Sequence, residues 1–125
     1  MNLSAHLAIA ALAAVLAPVA LATPDARAQR EIDGLLAFVE TSGCRFVRGG
    51  VEHDGREARA HLERKLTVAR PLIGSADDFV RHVASASSVT GEPYRVRCGA
   101  TEKAARAWLA DELARQRRAT AERNP

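Results

Sequence analysis

The two cysteines, Cys44 and Cys98, constrain this chain more than any other feature. Each sits in a short segment of period-two alternation. Cys44 and Phe46 alternate with Arg45 and Val47, and Tyr94, Val96 and Cys98 alternate with Arg95 and Arg97. An isolated cysteine pair in an oxidising compartment is usually a disulfide. The bond closes a loop worth about 4 kcal/mol by chain-entropy arithmetic. That is a large share of the ~5–10 kcal/mol a domain of this size holds in total. No Cys-x-x-Cys pattern supports a redox thiol, and His53, His61 and His82 lack zinc-ligand spacing to the cysteines.

A two-stranded ribbon is marginal alone and needs helices to cover one face. The sequence supplies them. Ile32, Leu35, Leu36 and Val39 make an apolar stripe at helical spacing, so a first helix is expected over 31–42, ended by Gly43. A second helix starts near Asp54, with Glu57 three residues on as in a capping box, and ends at Pro71. Ala58, Leu62, Leu66 and Ala69 form its apolar face. A third begins at Ser75 and buries Phe79, Val83 and Ala86. A fourth opens after Thr101 and buries Ala105, Trp108, Leu109 and Leu113. The expected fold is α+β and mostly helical, in the order αβααβα, with a two-stranded antiparallel ribbon and one disulfide. Gly49-Gly50 is expected to break the first strand into a loop. Cys44, Phe46, Tyr94 and Val96 are expected on the core side, and Arg45, Arg95 and Arg97 on the outer face. Residues 29–114 form the single domain, and 115–125 read as a polar tail that frays.

The first 28 residues read differently. Between Leu7 and Ala22 there is no charged residue, and the run is short for a membrane span. Two small-x-small sites follow, Ala20-Leu21-Ala22 and Ala26-Arg27-Ala28. This is the layout of a cleaved secretory signal, residues 1–28, with cleavage after Ala22 or Ala28; the second is preferred because it leaves Gln29 at the start of the first helix. The expected location is therefore the periplasm, with no stable membrane insertion after cleavage. The formal net charge is only +3, with 18 basic and 15 acidic residues. Nucleic-acid domains usually carry a denser basic patch, so nucleic acid is not an expected partner.

The blocks Ser42-Gly43-Cys44-Arg45-Phe46-Val47-Arg48, Ala58-Arg59-Ala60-His61-Leu62 with Lys65, Ser87-Ser88-Val89-Thr90-Gly91-Glu92-Pro93-Tyr94 with Cys98, and Trp108-Leu109 stand in this order. Together they resemble the YfeK-like family, small periplasmic proteobacterial proteins classed as a domain of unknown function. Gly49 departs from the Asn expected there in that pattern. The resemblance implies export and this fold, draws attention to His61 and Lys65, and implies no activity.

No catalytic set emerges from the residues. There is no Gly-x-Ser-x-Gly elbow around Ser87 or Ser88. Asp77-Asp78 stand where a helix N-terminus favours negative charge. Glu57 and His61 share a helix face, but two groups do not make a metal site. No cofactor, metal or enzyme activity is therefore expected. The binding candidates are Arg45, Arg48, Arg95 and Arg97, whose guanidinium forks suit phosphate or carboxylate, together with Ser88 and Tyr94 of the polar turn. The expected function is a non-enzymatic binding or envelope-associated module whose partner is an envelope protein or an anionic envelope ligand. The alternative is a small enzyme, or a lysozyme-type inhibitor using a Ser-Gly…Tyr finger, acting on cell-wall material.

Overall fold

The computed structural model describes residues 3–16 and 24–125. Three of its helices start at side-chain caps. Asp25 accepts a hydrogen bond from the Ala28 N–H at 2.7 Å and opens α1 (Ala26–Thr41). Asp54 accepts from Glu57 at 2.8 Å and opens α2 (Gly55–Ala69), and a 3-10 turn (Arg70–Leu72) closes that helix. Ser75 accepts from Asp78 at 3.0 Å and opens α3 (Ala76–His82). The fourth helix, α4 (Ala105–Arg123), has no side-chain cap. Its first N–H, that of Ala105, instead donates to the Tyr94 carbonyl at 2.9 Å.

The helices cover one face of an antiparallel sheet whose strands are β1 (Arg45–Arg48), β2 (Val51–His53), β3 (Arg95–Cys98) and β4 (Thr101–Ala104), in the order β2-β1-β3-β4. The expected ribbon is its central pair, with Arg45 opposite Arg97, Phe46 opposite Val96 and Val47 opposite Arg95. Cys44 and Cys98 are joined, with Cα atoms 4.5 Å apart and 54 positions apart in sequence. Each central strand also turns back into a hairpin partner. Gly49 and Gly50 both have positive φ, 58° and 76°, so they form the two-residue turn that right-twisted strands favour, and β2 follows where a loop was expected. Gly99, at φ 60°, with Ala100 makes the second tight turn. Thr101, expected as a helix cap, instead begins β4 opposite Cys98.

Phe79, Ile32, Leu35, Ile73, Leu109, Val39, Val83 and Val96 are the large side chains wholly removed from water, so α1 lies at the centre of the helical layer and Val96 brings the sheet into it. Burial of such a side chain contributes about 1.5–3 kcal/mol. Beside this core Trp108 stacks on Phe38, ring centroids 4.4 Å apart, and meets Phe46 edge-on at 5.5 Å.

Two expected boundaries need correction. The 115–125 segment is not a frayed tail, because α4 runs through Arg123. Arg117 reaches across to Glu31 at 2.7 Å and Asp77 at 2.8 Å, and Gln116 donates to the Gly34 carbonyl at 3.2 Å. Those long-range partners hold a stretch that has no apolar face of its own. Helix α1 begins at Ala26 rather than Glu31, so Ala28 lies inside it and is buried. Cleavage after Ala28 would remove the Asp25 cap and the first helical turn; the other site, at Ala22, lies outside the described residues. Residues 3–16 have no regular structure and are exposed, including Leu3, Leu12 and Leu16. Among the described residues no helix is long and apolar enough to cross a membrane.

Close approach of α2 to the end of α1 explains Gly55. A Cβ there would stand 2.5 Å from the Val39 carbonyl oxygen and 2.7 Å from that of Glu40, both rigid backbone. At Gly34 a Cβ would meet only the far end of the flexible Gln116 side chain. Gly55→Ala is therefore expected to destabilise the domain by about 1–3 kcal/mol, whereas Gly34→Ala, helped by the higher helix propensity of alanine, changes stability by less. Urea denaturation of the two variants checks the order.

Candidate functional site

Tyr94 stands where three elements meet. Its N–H donates to the Ser85 carbonyl at 2.9 Å, and its own carbonyl accepts from Ala105 at the start of α4. An isolated bridge between Ala86 and Pro93 closes the preceding loop. The backbone is thus fixed on both sides, and alternation along β3 sends the Tyr94 ring inward with Val96; the side chain is buried.

From β1 and α2, three polar side chains come to the same place. Lys65 donates to the Tyr94 hydroxyl at 3.0 Å and to the Ala86 carbonyl at 2.7 Å. His61 Nε2 lies 3.1 Å from the same hydroxyl. Arg48, at the end of β1, reaches His61 Nδ1 at 3.0 Å. His61 and Lys65 are four apart and so share one helical face. They flank Leu62 and Leu66, which face the core. The half-buried His61 has its pKa pushed down to about 4, first by burial and then by the positive charges of Arg48, Lys65 and Arg64, with His53 adding a little. Its imidazole is neutral at pH 7.

Arg48, His61 and Tyr94 form one wall of a cavity of about 300 Å³ between the inner face of the sheet and helices α2 and α4, with Lys65 behind the tyrosine. Phe46, Leu62, Trp108 and Leu109 give it an apolar floor, while Arg48, His53, Glu57 and Arg64 stand around it. The volume is at the small end of the range for ligand cavities, about 300–1,000 Å³, and the combination of apolar lining with a few convergent polar groups is typical of them. His53 Nδ1 is 3.0 Å from Glu57 Oε2 in the first turn of α2. His61 is not part of that pair. Among the described residues no group of three or more His, Cys, Asp or Glu side chains is placed to hold a metal ion.

The six binding candidates divide between different surfaces. Arg45, Arg95 and Arg97 do share the solvent face of the sheet. Two hairpin carboxylates stand among them: Glu52 pairs with Arg97 and lies 3.8 Å from Arg45, and Glu102 lies 3.5 Å from Arg95 and 3.9 Å from Arg97. The face is therefore a mixed ladder with little excess charge, and exposed pairs of this kind contribute roughly 0–1 kcal/mol each. Arg48 is on the opposite face, over α2. Strand alternation puts Arg45 and Val47 outward and Phe46 and Arg48 inward. Ser88 is exposed on the turn, whose shape comes from its neighbour: Ser87 Oγ accepts from Val89 and Thr90, each at 3.2 Å. Tyr94 points away from that turn, so the two do not form a projecting finger. Asp77 and Asp78 are likewise committed to structure. Arg117 holds the Asp77 carboxyl below its usual range, and the Gly74 N–H does the same for Asp78.

Comparison with known proteins bears on this arrangement. Residues 26–117 match the model of a family of unknown function, DUF5329. The chain belongs to that family. The DUF5329 match begins at the first residue of α1 and ends at Arg117, the long-range anchor of α4, so it spans the whole packed domain. The uncharacterized protein YfeK of Salmonella typhimurium strain LT2 is 38% identical over 86 residues, which is 68% of this chain and 72% of that protein. The YfeK-like resemblance of the sequence blocks is thus shown. No solved structure matches the chain.

The depressed His61 pKa gives this DUF5329 domain a defined pH response. The unfolded chain protonates that histidine near its ordinary value of 6.5, whereas the folded chain does so only near 4. Between these values the unfolded state binds more protons, so the stability contributed by neutral His61 is complete above about pH 6.5 and is lost as the pH falls toward 4. Urea midpoints measured across this window should fall more steeply for the wild type than for His61→Gln. Equal slopes would mean that His61 protonates normally in the fold.

Proposed function

We propose that this is an exported, periplasmic, non-enzymatic binding module, and that it binds a small molecule in the cavity between the sheet and helices α2 and α4. The cavity carries the proposal: an apolar floor faces a polar wall whose members come from β1, α2 and the β3 entry and are held by each other. The outer arginine face is a weaker candidate because Glu52 and Glu102 already offset its charge. A lysozyme-type inhibitory finger is disfavoured by the burial of Tyr94. A small enzyme is the second reading, and the observation favouring it is the Tyr94 hydroxyl set between a lysine and a neutral histidine, residue types used in acid–base catalysis.

Export is supported by the disulfide, which persists in oxidising compartments, and by the uncharged N-terminal run, in which Leu7, Leu12 and Leu16 stand exposed and take no part in the core. Of the two cleavage sites, Ala22 is preferred here, since it leaves Asp25 to cap α1 and Ala28 in its buried position.

Ala60 lies at the cavity on the exposed side of α2, so Ala60→Trp obstructs the site without touching the core. Mature protein is to be incubated with an extract of envelope small molecules, re-isolated, and its bound molecules identified by mass spectrometry. Capture is expected for the wild type and for Arg95→Glu/Arg97→Glu, and is expected to be lost in Ala60→Trp. Capture that survives Ala60→Trp and fails in the arginine variant would place binding on the outer face instead. The intact mass of the same preparation is expected to show Thr23 as the first residue.

A further inference from the structure

The polar wall of the cavity is cationic. Arg48 and Lys65 have only N–H groups to offer and cannot accept a hydrogen bond. Arg48 Nη1 lies 3.0 Å from His61 Nδ1 and 3.4 Å from His61 Nε2, so the guanidinium sits over the imidazole ring and not at the lone pair of one nitrogen. His61 Nε2 lies 3.1 Å from the Tyr94 hydroxyl, and Lys65 donates to that hydroxyl at 3.0 Å. Arg48 and Tyr94 both line the cavity.

The charge around the cavity has the same sense. Arg48 and Arg64 line it, and Lys65 stands directly behind the tyrosine. Among the described residues Glu57 is the one carboxylate of the lining, and it is engaged with His53 at 3.0 Å. A neutral imidazole cannot offset these cations, so a ligand with an amine head would meet a net positive charge.

We propose that the cavity takes a small amphiphile with an apolar body and a single oxyanion head, the head accepting from the Arg48 guanidinium with Arg64 beside it, while the body lies on Phe46, Leu62 and Trp108. This rests on the cavity being the binding site. It adds the ligand's class: a short-chain or aromatic carboxylate, or a phosphate ester of similar size, is accepted, and its neutral and cationic counterparts are discriminated against. Specificity arises because the cations around the cavity favour a negative head over a neutral or positive one.

The test is isothermal titration of the mature domain with octanoate, 1-octanol and octylammonium, which share one apolar body and differ in the head. Octanoate is expected to bind at least about tenfold more tightly than octanol, the usual worth of a hydrogen bond to a charged group, with octylammonium weakest. Arg48→Gln, at an exposed position, removes the positive charge and should reduce octanoate affinity about tenfold while changing octanol binding little. Thermal melting of the variant checks that it keeps its fold. Equal binding of the three probes, or preference for octylammonium, would overturn the oxyanion head and leave the cavity as a site. No binding of any probe, with wild type and Ala60→Trp alike, would overturn the cavity reading and this inference with it.

Discussion

The Cys44–Cys98 bond joins the two inner strands of the sheet and closes a loop that contains β2, α2 and α3. The strands it joins are only four residues long, too short to hold a sheet together by their own ladder. Closing a loop of this length removes chain entropy from the unfolded state worth about 4 kcal/mol. Its positional effect matters as much. With β1 and β3 side by side, Phe46 stands opposite Val96 over the helices, and Arg48 and Tyr94 are presented to the same face of α2. Arg48, His61, Lys65 and Tyr94 all lie between the two cysteines in sequence, so the polar wall is assembled within the covalent loop. The remaining floor of the cavity comes from α4, through Trp108 and Leu109.

Much of this architecture was legible in the residues. The cysteine-bearing strands show clean alternation, the stripe of α1 is wholly buried, and Asp54 and Ser75 cap the helices they were expected to cap. The hairpin strands β2 and β4 were not legible from alternation, because Glu52, Glu102 and Lys103 give them no apolar face. Charged edge strands of this kind protect a sheet from pairing with other chains. Their remaining signal was in the turns: Gly49-Gly50 and Gly99-Ala100 are two-residue connections whose glycines take the positive φ of tight hairpins. The end of α4 was illegible for another reason. Its stability comes from Arg117 and Gln116 meeting α1 and α3, contacts that no local pattern reveals.

The site was legible in parts and not in its assembly. Arginines were the obvious binding residues, yet the fold sorts them by strand phase. Those on the solvent face are interleaved with glutamates, while Arg48, on the opposite phase of β1 from Arg45, joins a buried tyrosine and a half-buried histidine. The family resemblance drew attention to His61 and Lys65, but their common partner is 33 and 29 positions away, respectively, and only the packing of β3 over α2 brings it there. The sheet thus separates two electrostatic environments. Its outer side is a screened, self-compensated ladder, and its inner side collects donors around a cavity from which water is partly excluded.

The gathering of positive charge and buried polar groups on that inner wall can be observed at a single ring. Nitrogen-15 NMR of histidine-labelled mature protein reports at what pH each imidazole titrates. His61, half-buried beside Arg48, Lys65 and Arg64, is expected to be neutral at pH 7 and not to become charged until the pH approaches about 4. Titration near 6.5 would contradict this, because the ring would then be neither buried nor held among the cations of the wall.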